Sequence, residues 1–160
     1  MKNTKEKTNV GRTLDQKKIE YGCYSYELDA SLTGSQIARI VGVDPERMFK
    51  TLVTTSHSKQ NYVFVVPVDK ELDLKKAAKA VNEKSIEMVK MKDLLALTGY
   101  VHGGCSPIGM KKFFPTVIDS SAQKFDKIIF SAGKVGHQVE VSPTDLKKVI
   151  EFKFEDITVE

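Results

Sequence analysis

The sequence predicts an α+β fold built on a curved, mixed β-sheet. Three observations carry that prediction. Short runs rich in β-branched and aromatic residues recur along the chain. Helical patterns interrupt them at uneven intervals. No regular strand–helix–strand repeat marks a doubly wound parallel sheet. With 160 residues, 41% hydrophobic and 29% charged, the chain has the composition of one globular domain large enough for a real core. That domain is expected to span 1–160.

Taken in order, Val10, Leu14 and Ile19 among charges predict an amphipathic helix over 4–20. Tyr21, Tyr24 and Tyr26 predict a strand over 20–28. Thr33 and Gly34 open a second helix through Ile37, Ile40 and Val41, with Gly42 as its stop. Asp44-Pro45 begins a short turn, with Pro where its missing donor costs least. Strands at 49–55 and 61–68 flank a polar hairpin loop at 56–60. Asp73 caps a helix through Leu74, Ala77, Ala78 and Val81, and another helix runs from Met91 to Leu97, stopping at Gly99. Strands follow at 116–118, 127–131 and 138–141. Ser142-Pro143-Thr144-Asp145 then starts a helix with a hydroxyl cap, a first-turn proline and an acid three residues after the cap.

Composition excludes several classes. The longest uncharged apolar stretch, 62–68, contains a proline and is far too short to span a membrane. The basic start, Met1 to Lys5, is followed by no apolar signal region, which reads as a cytoplasmic protein. Cys23 and Cys105 are the only cysteines and form no CxxC; His57, His102 and His137 lie far apart. No disulfide framework, metal or other cofactor is expected. A net charge of +4 permits an RNA partner without requiring one.

Two segments carry the chemistry. FKTLV at 49–53 places Lys50 at the head of an otherwise apolar strand, where an ammonium must turn to solvent or face a polar pocket. GGCSPIG at 103–109 is too rich in Gly and Pro for helix or strand, and lets a backbone approach a ligand closely. Together they offer a cation and exposed backbone dipoles, which suits an anionic or carbonyl-bearing substrate. On spacing alone, a solvent-facing lysine on an edge strand is the favoured reading of Lys50.

These segments, with LKKAAK at 74–79, TGY at 98–100, SAGKVG at 131–136 and SPTDL at 142–146, resemble the YbaK/EbsC family of Cys-tRNA(Pro) deacylases. That family is related to the editing domain of prolyl-tRNA synthetases. The resemblance follows the family's order over nearly the whole chain. It implies a barrel-like mixed sheet flanked by helices.

The resemblance also implies roles. Lys50 falls on the family's editing-pocket lysine, which would hold the tRNA 3′-terminal phosphate or polarise the ester carbonyl. Gly103 to Pro107 has the G-x-x-x-P spacing of the aminoacyl pocket, so Gly103, Gly104 and Pro107 would shape it and Ser106 would add a hydroxyl. Ser106 lacks the G-x-S-x-G elbow of a serine nucleophile. Tyr26 matches a tyrosine near the pocket. Lys111 and Lys112, beside the loop, are candidates for tRNA phosphates; Arg39, Arg47 and the lysines at 75, 76 and 79 are weaker ones. Cys105, with His102 nearby, invites a nucleophile reading that a small loop thiol rarely fulfils. Gln138 stands where some relatives have an acid.

The function implied is a trans-editing deacylase that removes cysteine from Cys-tRNA(Pro), and from Cys-tRNA(Cys) as a second substrate. The substrate's own thiol would attack its ester, releasing a cyclic thiolactone. The partners implied are the aminoacylated 3′ end of tRNA and prolyl-tRNA synthetase. The alternatives are a deacylase for another small amino acid, such as Ala-tRNA(Pro), and a non-catalytic tRNA- or synthetase-binding module.

Overall fold

Local signals set most of the element boundaries. The computed structural model describes residues 8–27 and 31–160. Helix α1 (Asn9–Gln16) begins where the Thr8 hydroxyl accepts the Gly11 amide at 2.9 Å. It is shorter than the predicted 4–20, because Lys18 takes a left-handed backbone (φ 57°) that no helix can continue. The predicted residues 4–7 lie outside the described residues. Strand β1 (Gly22–Ser25) is the middle of the predicted 20–28; Leu28 also lies outside the described residues.

Helix α2 (Gly34–Val41) opens on a full capping box. The Gln36 amide donates to Thr33 Oγ1 at 3.2 Å, and the Thr33 amide donates to Gln36 Oε1 at 2.8 Å. It ends at Gly42, whose φ of 78° closes the last turn. After the 3₁₀ turn Pro45–Arg47 come β2 (Phe49–Ser56) and β3 (Asn61–Pro67), paired as the predicted antiparallel hairpin. Helix α3 (Leu74–Ala80) is capped by Asp73, which accepts the Lys75 and Lys76 amides at 2.9 and 3.1 Å.

Strand β4 (Ile86–Met88), which the sequence does not signal, leads to α4 (Met91–Thr98). Then come β5 (Thr116–Asp119), the 3₁₀ turn Ser120–Lys124, β6 (Ile128–Ser131) and β7 (His137–Val141). Helix α5 (Pro143–Leu146) is capped by Ser142, and a second unsignalled strand, β8 (Lys153–Glu155), follows.

The strands form two sheets. One has the order β1-β7-β6 and is antiparallel; the other has the order β4-β2-β3-β5-β8, with β3–β5 and β5–β8 parallel. The mixed α+β class therefore holds. The strands divide into two sheets joined at a parallel bridge between Met48 and Ile129, and the sheets do not close into one barrel.

Both faces of β3 are buried, which is why 63–66 reads as an unbroken apolar run. Val63 and Val65 join Phe49, Val53, Phe130 and Val139 in the main core. Phe64 and Val66 face the other way, against Ala77 and Ala78 of α3. Each such side chain contributes roughly 1.5–3 kcal/mol on burial. A third cluster packs Ala38 and Val41 of α2 on Met48 and Ile129. Helix α2 thus covers the bridge between the sheets, and the candidate site opens beside it.

Candidate active site

A cleft of about 220 Å³ opens between the start of β2 and the three-stranded sheet. The start of β2 lines it from Met48 to Leu52, the first turn of α2 forms one wall, and Leu94 with His102, Gly103 and Cys105 forms the other. Ser131 and Gln138, from the ends of β6 and β7, complete it. Leu32, Ile37 and Val68 make part of the lining apolar.

Lys50 is the cation of this cleft. It is half-buried, and among the described residues its side chain has no ion pair or hydrogen bond. Burial pushes its ammonium below the ordinary lysine value, while Glu71 and Asp69 pull it back up. A partly desolvated, unpaired ammonium is costly to the fold and available to an anion or a carbonyl oxygen.

Thr51, not among the candidates the sequence singles out, stands beside it. Main-chain groups alternate in direction along a paired strand. Val68 donates to the Met48 carbonyl and Ser56 to the Gln60 carbonyl, both at 2.8 Å, so even-numbered residues of β2 turn toward the hairpin. The Val53 carbonyl turns outward and accepts the Val89 amide at 3.1 Å. By the same alternation the Thr51 N–H and C=O point outward, where β4 does not reach: β4 pairs only with Thr54–Ser56. The Thr51 hydroxyl is buried without a hydrogen-bond partner. A polar residue next to the lysine was the available signal, but only the open strand edge gives it meaning.

The glycine loop divides in two. Gly103 and Cys105 line the cleft, whereas Gly104, Ser106 and Pro107 are buried and absent from its lining. Ser106 is fully enclosed and its hydroxyl accepts the Ile108 amide at 3.3 Å, a local turn bond. The hydroxyl contact expected of Ser106 has no access to the cleft as it stands. Gly104 packs against the 131–136 loop: a Cβ there would sit 3.2 Å from the Val135 nitrogen.

Tyr100 braces this loop. Its hydroxyl donates to the Ile108 carbonyl at 2.5 Å and accepts from Asn9 Nδ2 at 2.9 Å. Gly133 lets the ring in, since a Cβ there would lie 2.8 Å from it. The TGY, GGCSPIG and SAGKVG segments therefore meet around one ring.

Cys105 is buried, and burial pushes its thiol up to about 12, outweighing a hydrogen bond from Thr98. A thiol raised this far is protonated at neutral pH, which argues against a nucleophilic role. Tyr26 lies outside the cleft lining and packs beside α2 in the third cluster, its hydroxyl buried without a hydrogen-bond partner among the described residues. Gln138 is buried at the cleft, where it brings an amide and no charge.

Among the cations proposed for RNA, Arg47 is held by Glu140 at 2.6 Å and Lys76 by Asp156 at 3.2 Å, so both are structural ties. Lys111 and Lys112 are exposed on the loop that continues from the cleft wall.

The fold and the cleft define an α+β domain with a lysine, a glycine loop and apolar side chains lining one pocket. Residues 30–149 match the family model for the aminoacyl-tRNA editing domain, and the chain belongs to that family. Over 158 residues it is 44% identical to a protein of Enterococcus faecalis (strain ATCC 700802 / V583) named "Putative Cys-tRNA(Pro)/Cys-tRNA(Cys) deacylase EbsC", covering 98% of this chain and 96% of that one. Two solved structures share the fold. One, a hypothetical protein, has a TM-score of 0.85 at 20% identity and covers 94% of this chain and 99% of its own. The other, described as "a putative trans-editing enzyme for prolyl tRNA synthetase", has a TM-score of 0.80 at 22% identity and covers 95% and 96%.

Proposed function

We propose that the protein is a trans-editing deacylase that clears cysteine from Cys-tRNA(Pro), and from Cys-tRNA(Cys) as its second substrate. The observation that carries this is Lys50, unpaired at the mouth of a cleft sized for a small aminoacyl group. The name of the Enterococcus faecalis relative supports the choice of substrate.

In this reading the cysteinyl ester enters between Lys50 and Gly103. The substrate thiol, as thiolate, attacks its own ester carbonyl. The sulfur–carbon bond forms, the carbon–oxygen bond to the terminal ribose breaks, and the ribose oxygen takes up a proton. Water later opens the released thiolactone to free cysteine. The protein holds sulfur and carbonyl together, so proximity supplies much of the rate. Lys50 and the outward Thr51 N–H stabilise charge building on the carbonyl oxygen. The protonated Cys105 fits a mechanism in which the nucleophile comes from the substrate.

Lys111 and Lys112 contact tRNA phosphates in this reading. Prolyl-tRNA synthetase is the partner that supplies tRNA selection, and the cytoplasm, where tRNA is charged, is the compartment. Deacylation of Cys-, Ala- and Ser-charged tRNA(Pro), side by side, is the test. Loss of cysteine alone supports the assignment. Preferential loss of alanine makes the protein an editor of a different amino acid, and loss of none overturns the enzyme reading.

A further inference from the structure

Among the described residues, the cleft is lined by three ionisable side chains: Lys50, His102 and Cys105. Lys50 is its cation, and burial keeps the Cys105 thiol protonated, its value pushed up to about 12. That leaves His102, and imidazole is the side chain that ordinarily exchanges protons near neutral pH.

The turn that carries His102 is fixed at both ends. The Gly104 amide donates to the Val101 carbonyl at 3.0 Å, which closes a four-residue turn with His102 and Gly103 at its corners. Gly103 takes a φ of 87° at the third position, where such a turn needs glycine. Before the turn Tyr100 is buried and bonded to the Ile108 carbonyl, and after it Gly104 packs on the 131–136 loop. His102 itself is exposed, and its ring has no hydrogen bond or ion pair among the described residues. The charged groups around it are Lys50 from β2, Asp69 and Glu71 acting on Lys50 from beyond β3, and Lys134 on the loop against Gly104. Thr33, Thr51, Ser131 and Gln138 bring only uncharged polar groups to the same lining.

Thiolactone formation moves one proton. It leaves sulfur as the sulfur–carbon bond forms, and the ribose oxygen needs one as the ester bond breaks. We propose that His102 carries it: the imidazole takes the thiol proton as sulfur attacks and returns it to the departing ribose oxygen. The ring ends the cycle as it began. The inference deepens the editing reading and rests on it.

The test is single-turnover deacylation of Cys-tRNA(Pro) by the wild type, His102→Ala and His102→Gln across the neutral pH range. Both variants should be about a hundredfold slower below neutrality, the usual scale of a lost general acid–base. The deficit should narrow as pH rises toward the ordinary thiol value of about 8.5, because the substrate then supplies its own thiolate. Added imidazole should restore part of the rate of His102→Ala, and its melting temperature should match the wild type. A structural role predicts a loss that is equal at every pH and deaf to imidazole. Activity retained without His102, or a loss that imidazole does not relieve, overturns the proposal. A wild type that releases cysteine while His102→Ala keeps pace refutes this role alone. A wild type that releases none refutes the editing reading and this role with it.

Discussion

Lys50 and Lys76 both sit in segments that resemble the same family, both are half-buried, and the fold treats them oppositely. Lys76 is tied to the end of the chain: its ammonium donates to the Thr158 carbonyl at 2.9 Å and pairs with Asp156 at 3.2 Å and Glu160 at 3.6 Å. The Lys50 ammonium has no hydrogen bond or ion pair among the described residues, only the more distant charges of Glu71 and Asp69, and its pKa is lowered where that of Lys76 is raised. The difference teaches that a lysine in a shared motif is not yet a site residue. The better candidate is the one whose partner the fold withholds.

Substitutions break the comparison in order of size. Lys50→Ala should lower deacylation a hundredfold or more, on the scale of removing one electrostatic donor from a reaction centre. Its melting temperature should hold or rise, because a partly desolvated charge is removed. Tyr100→Phe comes next. It leaves the buried Ile108 carbonyl and the Asn9 amide short of a partner, for a loss of about 1–3 kcal/mol in denaturant unfolding. Activity should fall with it, as the loop behind Gly103 loosens. Lys76→Ala should lower the melting temperature slightly and leave the deacylation rate where it was.

A pH series sharpens the same contrast. The Lys50 pKa is lower in the fold than in the unfolded chain, so between those values the unfolded chain holds more protons. Stability due to this group therefore rises with pH across that window. Lys50→Met should be the more stable protein at pH 7, and its advantage should shrink as pH climbs toward the ordinary lysine value. An advantage that grows over that range would mean Lys50 is held by a partner after all.

Elements governed by neighbouring residues were legible in the sequence. The Thr33–Gln36 capping box, the Asp73 and Ser142 caps, the Gly42 stop and the β2–β3 hairpin all depend on contacts a few residues long. β4 and β8 were not. Each has three residues and largely exposed side chains, and each exists because a neighbouring strand offers an edge. The site shows the same split. Lys50 and Gly103 were found as unusual residues in their own segments. Thr51, Leu94 and Ile37 reach the cleft only because two sheets and two helices converge there. By chemistry alone GGCSPIG reads as a structural turn, and only the family resemblance gives it a role; residue type could not reveal that Ser106 faces inward while Gly103 faces the cleft.

The most direct measurement compares Cys-tRNA(Pro) deacylation by the wild type, Lys50→Ala and Cys105→Ser under one set of conditions. The account predicts that Cys105→Ser keeps most of the rate and Lys50→Ala loses most of it. Activity that survives loss of Lys50 but not of the Cys105 thiol would contradict it, and would move the nucleophile from the substrate to the protein.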